Sequence, residues 1–174
     1  MKNTIVLISL LLSSCSFFNQ TVLKVDFEPE IVQNALQYVK LSINSEYIFG
    51  GNGPTVFDCS GLINWSYQSA YGATFIFNNG VSIVNDINMD TMYNNNVRNI
   101  LKEDTSPGDI VFITDDSSKI THGGIIVNLD GDLITFINAS SYYGKVVIDT
   151  WDINELVRGQ WIVGFGKLQL SKKK

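Results

Sequence analysis

The strongest constraint on the fold is a change of hydrophobic period at Ser106-Pro107-Gly108-Asp109. Upstream of this turn, apolar residues recur at helical spacing over residues 30–42, and a second helix is expected from Cys59 to about Ala70, ended by Gly72. Downstream, short apolar or β-branched runs are separated by turn residues, which predicts strands at 110–113, 123–127, 133–137, 146–148 and 161–165. Helices followed by consecutive strands predict an α+β fold with an antiparallel sheet.

Length and composition predict one domain of ordinary size. The chain has 174 residues, 45% of them hydrophobic, which is enough for a substantial core. Its net charge is −5, whereas proteins that bind nucleic acids carry basic stripes, so we expect no nucleic-acid partner. We place the domain at residues 30–170, expect a monomer, and interpret 171–174, which hold the one basic run, as a solvated tail.

The first fourteen residues have the pattern of a secretory signal peptide. Lys2 is followed by an apolar run over 5–12, which is shorter than the roughly 20 residues that span a bilayer. Leu12-Ser13-Ser14-Cys15 resembles the bacterial lipobox, in which the cysteine is lipidated and becomes the mature N-terminus. This predicts a lipid anchor at Cys15, a tether over 15–29, and a lipoprotein of the cell envelope that faces the periplasm or the cell wall. The alternative is a plain signal peptide with an incidental cysteine.

Cys59 is the candidate nucleophile. The chain has two cysteines, and a lipidated Cys15 cannot form a disulfide, which leaves Cys59 as the free thiol. Cys59 lies between a loop rich in glycine and a predicted helix, whose N-terminal dipole and exposed N–H groups favour a thiolate and an oxyanion hole. Gly61 keeps the first turn uncrowded for a substrate. The alternative is a small buried residue.

His122 is the candidate base, because a cysteine hydrolase needs a histidine and this chain has only one. The next segment predicts its orienting residue. Asn128 and Asp132 enclose residues 129–131, which fit a three-residue hairpin loop. In that register, opposed residue numbers sum to 260, so His122 faces Asn138 with Cβ atoms about 4.5–5.5 Å apart. A slip of one residue would move Asn138 to the other face.

Cysteine, histidine and asparagine form the catalytic set of papain-like enzymes. In this interpretation Asn138 orients the imidazole, and His122 takes the thiol proton and later protonates the leaving amine. The thiolate of Cys59 attacks the carbonyl carbon. The sequence that surrounds the papain cysteine is absent here.

Five segments, collinear over about residues 30–167, resemble the NlpC-like cysteine peptidases of bacterial cell walls. They are Tyr47-Ile48-Phe49-Gly50-Gly51, Asp58-Cys59-Ser60-Gly61-Leu62, Pro107-Gly108-Asp109-Ile110-Val111-Phe112, His122-Gly123-Gly124-Ile125 and Phe136-Ile137-Asn138-Ala139-Ser140-Ser141. The resemblance implies a papain-like fold and hydrolysis of peptidoglycan stem peptides, commonly between the γ-carboxyl of D-glutamate and a diamino acid. It implies no metal and no cofactor.

The resemblance also implies a set of substrate-binding residues. Tyr47 would line the site beside the thiol and donate to the oxyanion, while Asp58 and Ser60 would contact the substrate, with Asp58 meeting the free amine of a stem peptide. The alternatives are a partly buried aromatic residue for Tyr47 and a helix cap for Asp58. The third catalytic position is often histidine in this family; here it is Asn138, which would alter the pH profile.

The sequence therefore predicts a cysteine endopeptidase of the cell wall. Two alternatives stay open. One is a papain-like N-acetylmuramoyl-L-alanine amidase, which would remove the stem peptide from the glycan. The other is a catalytically silent envelope lipoprotein that binds wall fragments or a partner protein.

Overall fold

The computed structural model describes residues 22–73, 77–116 and 118–173, so the predicted signal peptide and the lipidation site Cys15 lie outside the described residues. The elements follow in chain order: β1 (Val22–Asp26), α1 (Pro29–Leu41), β2 (Glu46–Tyr47), β3 (Val56–Phe57), α2 (Cys59–Tyr71), β4 (Phe77–Asn78), β5 (Ile83–Val84), α3 (Met89–Asn95), β6 (Val97–Ile100), a 3₁₀ turn (Lys102–Asp104), β7 (Ile110–Thr114), β8 (His122–Asp130), β9 (Leu133–Ser140), β10 (Lys145–Asp152) and β11 (Trp161–Lys173).

The helices begin and end close to the predicted positions. Pro29 occupies the first turn of α1, where its missing N–H costs nothing. Helix α2 ends at Gly72, which has φ 75° and donates its N–H to the Gln68 carbonyl, because glycine adopts this left-handed conformation without strain. No helix in the described ranges is both long and apolar enough to cross a lipid bilayer.

The large sheet has the strand order β1-β11-β7-β8-β9-β10-β2-β3, with β6 also paired to β11, and its pairs are antiparallel except for β2 and β3. Strand β7 is buried along its whole length. Ile110 and Phe112 pack toward the helices, while Val111 and Ile113 pack into a second apolar cluster with Phe136 and its neighbours. This two-sided burial explains the continuous apolar run of β7. The predicted α+β class is confirmed.

The sheet extends beyond the predicted domain boundaries at both ends. Strand β1 pairs antiparallel with the end of β11, with Val22 opposite Lys173. Residues 22–26 of the predicted tether (15–29) and 171–173 of the predicted tail (171–174) are therefore strand residues rather than tether and solvated tail. Segments from opposite ends of the chain complete each other's hydrogen bonds, and no local sequence pattern reveals such a partner.

The β8–β9 hairpin has a different register from the predicted one. Asn128 pairs with Thr135 rather than Asp132, and residues 131–132 form a two-residue turn, so the predicted three-residue loop is wrong. A β-bulge at Val127 then shifts the pairing by one residue. Helix α2 packs on both strands of this hairpin and brings the start of the helix to the N-terminal end of β8.

Candidate active site

Asp58 fixes the start of helix α2 and so the position of Cys59. Its carboxylate accepts hydrogen bonds from the Gly61 N–H at 2.7 Å and from the Ser60 hydroxyl at 3.1 Å. The second carboxylate oxygen accepts from the Gly50 N–H at 2.9 Å. Asp58 is thus a helix N-cap that also fastens the preceding loop, and it makes Cys59 the first residue of the helix.

Gly61 serves the packing of this loop rather than the access of a substrate. A Cβ atom at residue 61 would overlap the carbonyl oxygen of Gly51. The space beside the first turn of α2 is therefore filled by backbone, so the expectation that Gly61 leaves room for a substrate is wrong. Glycine permits this close approach because it has no side chain.

The structure brings His122 and Asn138 together. His122 Nε2 lies 3.0 Å from Asn138 Oδ1. The two residues are diagonal neighbours rather than opposed ones: Gly124 stands opposite Asn138, close enough that a Cβ atom on it would lie 3.0 Å from the Cβ of Asn138. Diagonal residues on one face of a sheet are within reach of long side chains, which accounts for the contact.

Asp149 accepts a hydrogen bond from the side-chain amide of Asn138. Asn138 Nδ2 donates to Asp149 Oδ2 at 3.0 Å, and an ionised carboxylate can only accept. The amide nitrogen therefore faces Asp149 and the amide oxygen faces His122. His122 must then carry its proton on Nε2, which leaves Nδ1 as the acceptor that can serve as a base.

Sequence reasoning missed Asp149 and its neighbour Arg158. Aspartate is uncommon in strands, so its position in the middle of β10 was the available signal. Arg158 Nη2 lies 3.9 Å from Asp149 Oδ1. Its guanidinium carbon lies 4.6 Å and 4.8 Å from the ring centres of Tyr142 and Tyr143, which hold it by cation–π contacts.

Two cavities meet at the thiol. One, of about 230 Å³, is bordered by Cys59, His122 and Asn138. The other, of about 400 Å³, is bordered by Asp58 and Ser60, and Tyr47, Cys59 and Thr121 belong to both. An extended substrate placed along them would pass over the thiol. Within the described part of the chain, no group of three His, Cys, Asp or Glu side chains is arranged to hold a metal ion.

Burial disfavours the charged forms of both the thiol and the imidazole. Burial, and then the charge of Asp58, raise the pKa of Cys59 to about 12, although the backbone N–H groups of Ser60 and Cys59 act in the opposite direction. Burial lowers the pKa of His122 below its usual 6.5, against the raising effects of the Asn138 hydrogen bond and the Asp149 charge. The expected preference of the helix N-terminus for a thiolate is thus present but outweighed by desolvation.

Tyr47 lies on the short strand β2, half-buried, and borders both cavities beside Cys59. Burial, and then the neighbouring acidic groups of Cys59 and Asp58, raise the pKa of Tyr47, so the phenol keeps its proton and can donate. The Ser60 hydroxyl is buried and committed to Asp58. Both predicted alternatives, the partly buried tyrosine and the capping aspartate, are therefore observed, and substrate contacts by these residues stay predictions.

Residues 44–163 match the NlpC/P60 family. The chain belongs to the NlpC/P60 family. The match includes the elements that carry the thiol, the imidazole and the amide described above. The resemblance predicted from the five sequence segments is thereby confirmed.

Two curated relatives are much longer than this chain. It is 31% identical over 126 residues to the probable endopeptidase p60 of Listeria monocytogenes, covering 72% of this chain and 22% of p60. It is 27% identical over 150 residues to the bifunctional muramidase/DL-endopeptidase CwlT of Bacillus subtilis, covering 83% of this chain and 37% of CwlT. The chain thus spans well under half the length of either relative.

The fold is shared with a solved family member. The structure of NlpC1 from Trichomonas vaginalis superimposes with a TM-score of 0.60 at 25% identity, covering 84% of this chain and 47% of NlpC1. This likeness confirms the predicted papain-like fold, and the helix that begins at the candidate nucleophile Cys59 packs on the antiparallel sheet.

Proposed function

We propose that this chain is a cysteine endopeptidase that hydrolyses peptidoglycan stem peptides between the γ-carboxyl of D-glutamate and a diamino acid. The observation that carries the proposal is the hydrogen bond from His122 to a fixed Asn138 amide, in the wall of a cavity that Cys59 also borders. The relatives p60 and CwlT are named endopeptidases, and CwlT a DL-endopeptidase. The name DL-endopeptidase fits the proposed bond, which joins D-glutamate to the L-configured centre of the diamino acid.

The first half of the reaction forms a thioester. His122 Nδ1 takes the proton from Cys59, and the sulfur attacks the γ-carbonyl carbon. The resulting oxyanion accepts hydrogen bonds from the Tyr47 hydroxyl and from backbone N–H groups at the start of α2. The imidazolium then donates its proton to the nitrogen of the diamino acid, the C–N bond breaks, and the amine leaves.

The second half releases the acid. Nδ1 of His122 takes a proton from water, and the hydroxide oxygen attacks the thioester carbon. The C–S bond breaks, the sulfur recovers the proton from the imidazolium, and the γ-carboxyl of D-glutamate is free. Because burial disfavours the charged forms of both the thiol and the imidazole, we assign the first proton transfer to the chemical step.

The charge around the larger cavity supports recognition of an amine. Asp58, Asp86 and Asp90 border it together with Lys119, so among the described residues acids outnumber bases there. A stem peptide already released from the glycan presents a free ammonium group on its first residue. We propose that Asp58 and its neighbours attract this group, while Ser60 borders its path.

The decisive experiment is digestion of purified muropeptides, with the product masses compared between the wild-type chain and Cys59→Ala. Cys15→Ser is the matched control, since it removes the other cysteine. Products cut after D-glutamate in the wild type and the control, but not in Cys59→Ala, are the expected result. Identical traces for wild type and Cys59→Ala would end the proposal, and a cut between muramic acid and L-alanine would identify the amidase instead.

We also propose that Cys15 is lipidated and holds the protein at a membrane of the cell envelope. Strand β1 begins at Val22, so the chain from Cys15 to the sheet can span at most about 25 Å at roughly 3.3–3.6 Å per residue. The anchor would then keep the domain close to the membrane surface. Cys15→Ser should move the protein from the membrane fraction to the soluble fraction, and unchanged membrane binding would contradict lipidation.

A further inference from the structure

Three neighbouring strands carry a continuous hydrogen-bonded line of side chains. Asn138 on β9 lies between His122 on β8 and Asp149 on β10, with both heavy-atom separations at 3.0 Å. In the β9–β10 pair Asn138 stands opposite Val147, so Asp149 is its diagonal neighbour. His122 is the diagonal neighbour on the other side. The two diagonals place all three polar groups on one face of the sheet.

We propose that Asp149 is a positioning residue for the reaction: it fixes the Asn138 amide and thereby selects the reactive tautomer of His122. The inference rests on the proposed function, which it deepens by adding a fourth member to the Cys-His-Asn set. Asp149 does not meet the substrate in this role, but acts through Asn138.

The need for such a residue follows from the similar shape of the oxygen and NH₂ ends of an amide group, which differ in hydrogen-bonding role. An asparagine can present either its oxygen or its NH₂ group to a neighbouring imidazole. If Asn138 presented NH₂, His122 Nε2 would have to accept, and the proton would move to Nδ1. The imidazole could then no longer take the thiol proton of Cys59.

Asp149 removes this ambiguity. A flipped amide would place its oxygen against the carboxylate, with two acceptors facing each other. Asn138 is 1% exposed, so little water is present to relieve that repulsion. Arg158 lies 3.9 Å from Asp149 and balances its charge, and the two tyrosine rings beneath the guanidinium restrict its movement.

The test uses the full chain and the substitution Asp149→Asn, which keeps the size of the side chain but supplies a donor as well as an acceptor. Because His122 is the only histidine, ¹⁵N-histidine labelling gives an NMR spectrum of a single imidazole. Wild type should show the proton on Nε2 alone, and Asp149→Asn should show a mixture of tautomers. We expect kcat to fall about tenfold to hundredfold, with KM within about twofold.

Asp130→Asn is the matched control, because Asp130 lies on the same sheet at the opposite end of β8 from His122 and borders neither cavity at the thiol. It should leave the tautomer and kcat unchanged. A double-mutant cycle adds a second criterion: if Asp149 acts through Asn138, then Asp149→Asn should lower kcat no further in an Asn138→Ala background. Asp149→Ala is the second variant should Asp149→Asn fail to fold, and it should also give mixed tautomers.

An unchanged tautomer and kcat in Asp149→Asn would overturn the inference, as would an equal loss of kcat in Asp130→Asn or full additivity in the double-mutant cycle. The proposed function can fail separately. If wild type cuts no muropeptide, the peptidase proposal falls, but the NMR comparison still decides whether Asp149 selects the tautomer.

Discussion

His122 Nε2 lies 3.0 Å from Asn138 Oδ1 even though the two residues do not stand opposite each other in the β8–β9 hairpin. The two-residue turn alone would place Asn138 on the opposite face of the sheet from His122. The bulge at Val127 adds one residue to β8 and returns both side chains to the same face. The candidate base and its orienting residue therefore meet because the bulge offsets by one residue the register that the two-residue turn sets.

The acid limb of the pH profile should lie below pH 6.5. Burial lowers the pKa of His122, and the reaction needs the neutral imidazole, so kcat/KM falls as pH drops through that lowered pKa. Asn138→Ala removes a hydrogen bond that raises the pKa of His122. The acid limb of the kcat/KM profile of this variant should therefore lie at still lower pH than that of the wild type. The measurement is kcat/KM between pH 4 and 8 for both proteins. A limb above 6.5, or an upward shift in Asn138→Ala, would contradict this account.

The thiol should be slow to alkylate at neutral pH. Since burial and Asp58 raise the pKa of Cys59 to about 12, the rate with iodoacetamide should still rise about tenfold per pH unit between pH 8 and 10. The Cys15→Ser background leaves a single thiol to follow by mass spectrometry. A rate that levels off below pH 8 would show instead that a thiolate–imidazolium pair exists at rest.

Tyr47→Phe should lower kcat while it leaves the fold intact. The substitution removes only the hydroxyl that we assign to the oxyanion, and loss of one such donor costs about 10²-fold in kcat. Tyr93→Phe is the control, because Tyr93 packs on Phe112 away from both cavities bordered by the thiol. Equal kcat values for wild type and Tyr47→Phe would exclude the hydroxyl from the reaction.

Local signals in the sequence were sufficient to locate helix α2, which begins at the candidate nucleophile Cys59, and strand β7. The capping Asp58, the preceding glycines and the apolar helical pattern predicted the start of α2 correctly, because helix N-termini are determined by adjacent residues. The apolar run over 110–113 likewise predicted strand β7, which the structure shows to be buried along its whole length.

The features that the sequence did not predict depend on long-range packing. The β1–β11 pair joins the two ends of the described chain, and neither segment alone indicates its partner. The turn before Leu133 is compatible with loops of two or three residues, which differ little in local energy, so packing of the apolar face of β9 decides the register. Asp149 was missed for the same reason, since its role appears only once β10 lies beside Asn138.

Gly61→Ala should destabilise the protein by about 1–3 kcal/mol, the usual cost of an added methyl group in a packed site. The new Cβ would overlap the Gly51 carbonyl, a backbone atom that cannot rotate away, and the loop before Cys59 would be displaced. Gly164→Ala is the control, because its Cβ would meet only the Tyr93 ring at 3.4 Å. Urea unfolding measures both; equal stability of Gly61→Ala and wild type would contradict the packing role.

Asp58→Asn should separate the reactivity of the thiol from the turnover of the substrate. The charge of Asp58 raises the pKa of Cys59, so its removal should lower that pKa and speed alkylation at a given pH. Loss of the charge should at the same time weaken binding of a stem peptide through its ammonium group. We therefore expect faster reaction with iodoacetamide but a higher KM for peptides with a free amine.

An N-acetylated stem peptide provides the internal control for this substitution, because it carries no ammonium group for Asp58 to attract. Its KM should be similar in wild type and Asp58→Asn, while the KM of the free-amine peptide should rise about tenfold, the factor that corresponds to roughly 1.4 kcal/mol of binding. Circular dichroism verifies that the altered N-cap, which costs about 1 kcal/mol, leaves the protein folded. An equal rise in KM for both peptides would assign Asp58 to the architecture of the loop alone, since only recognition of the amine distinguishes the two substrates.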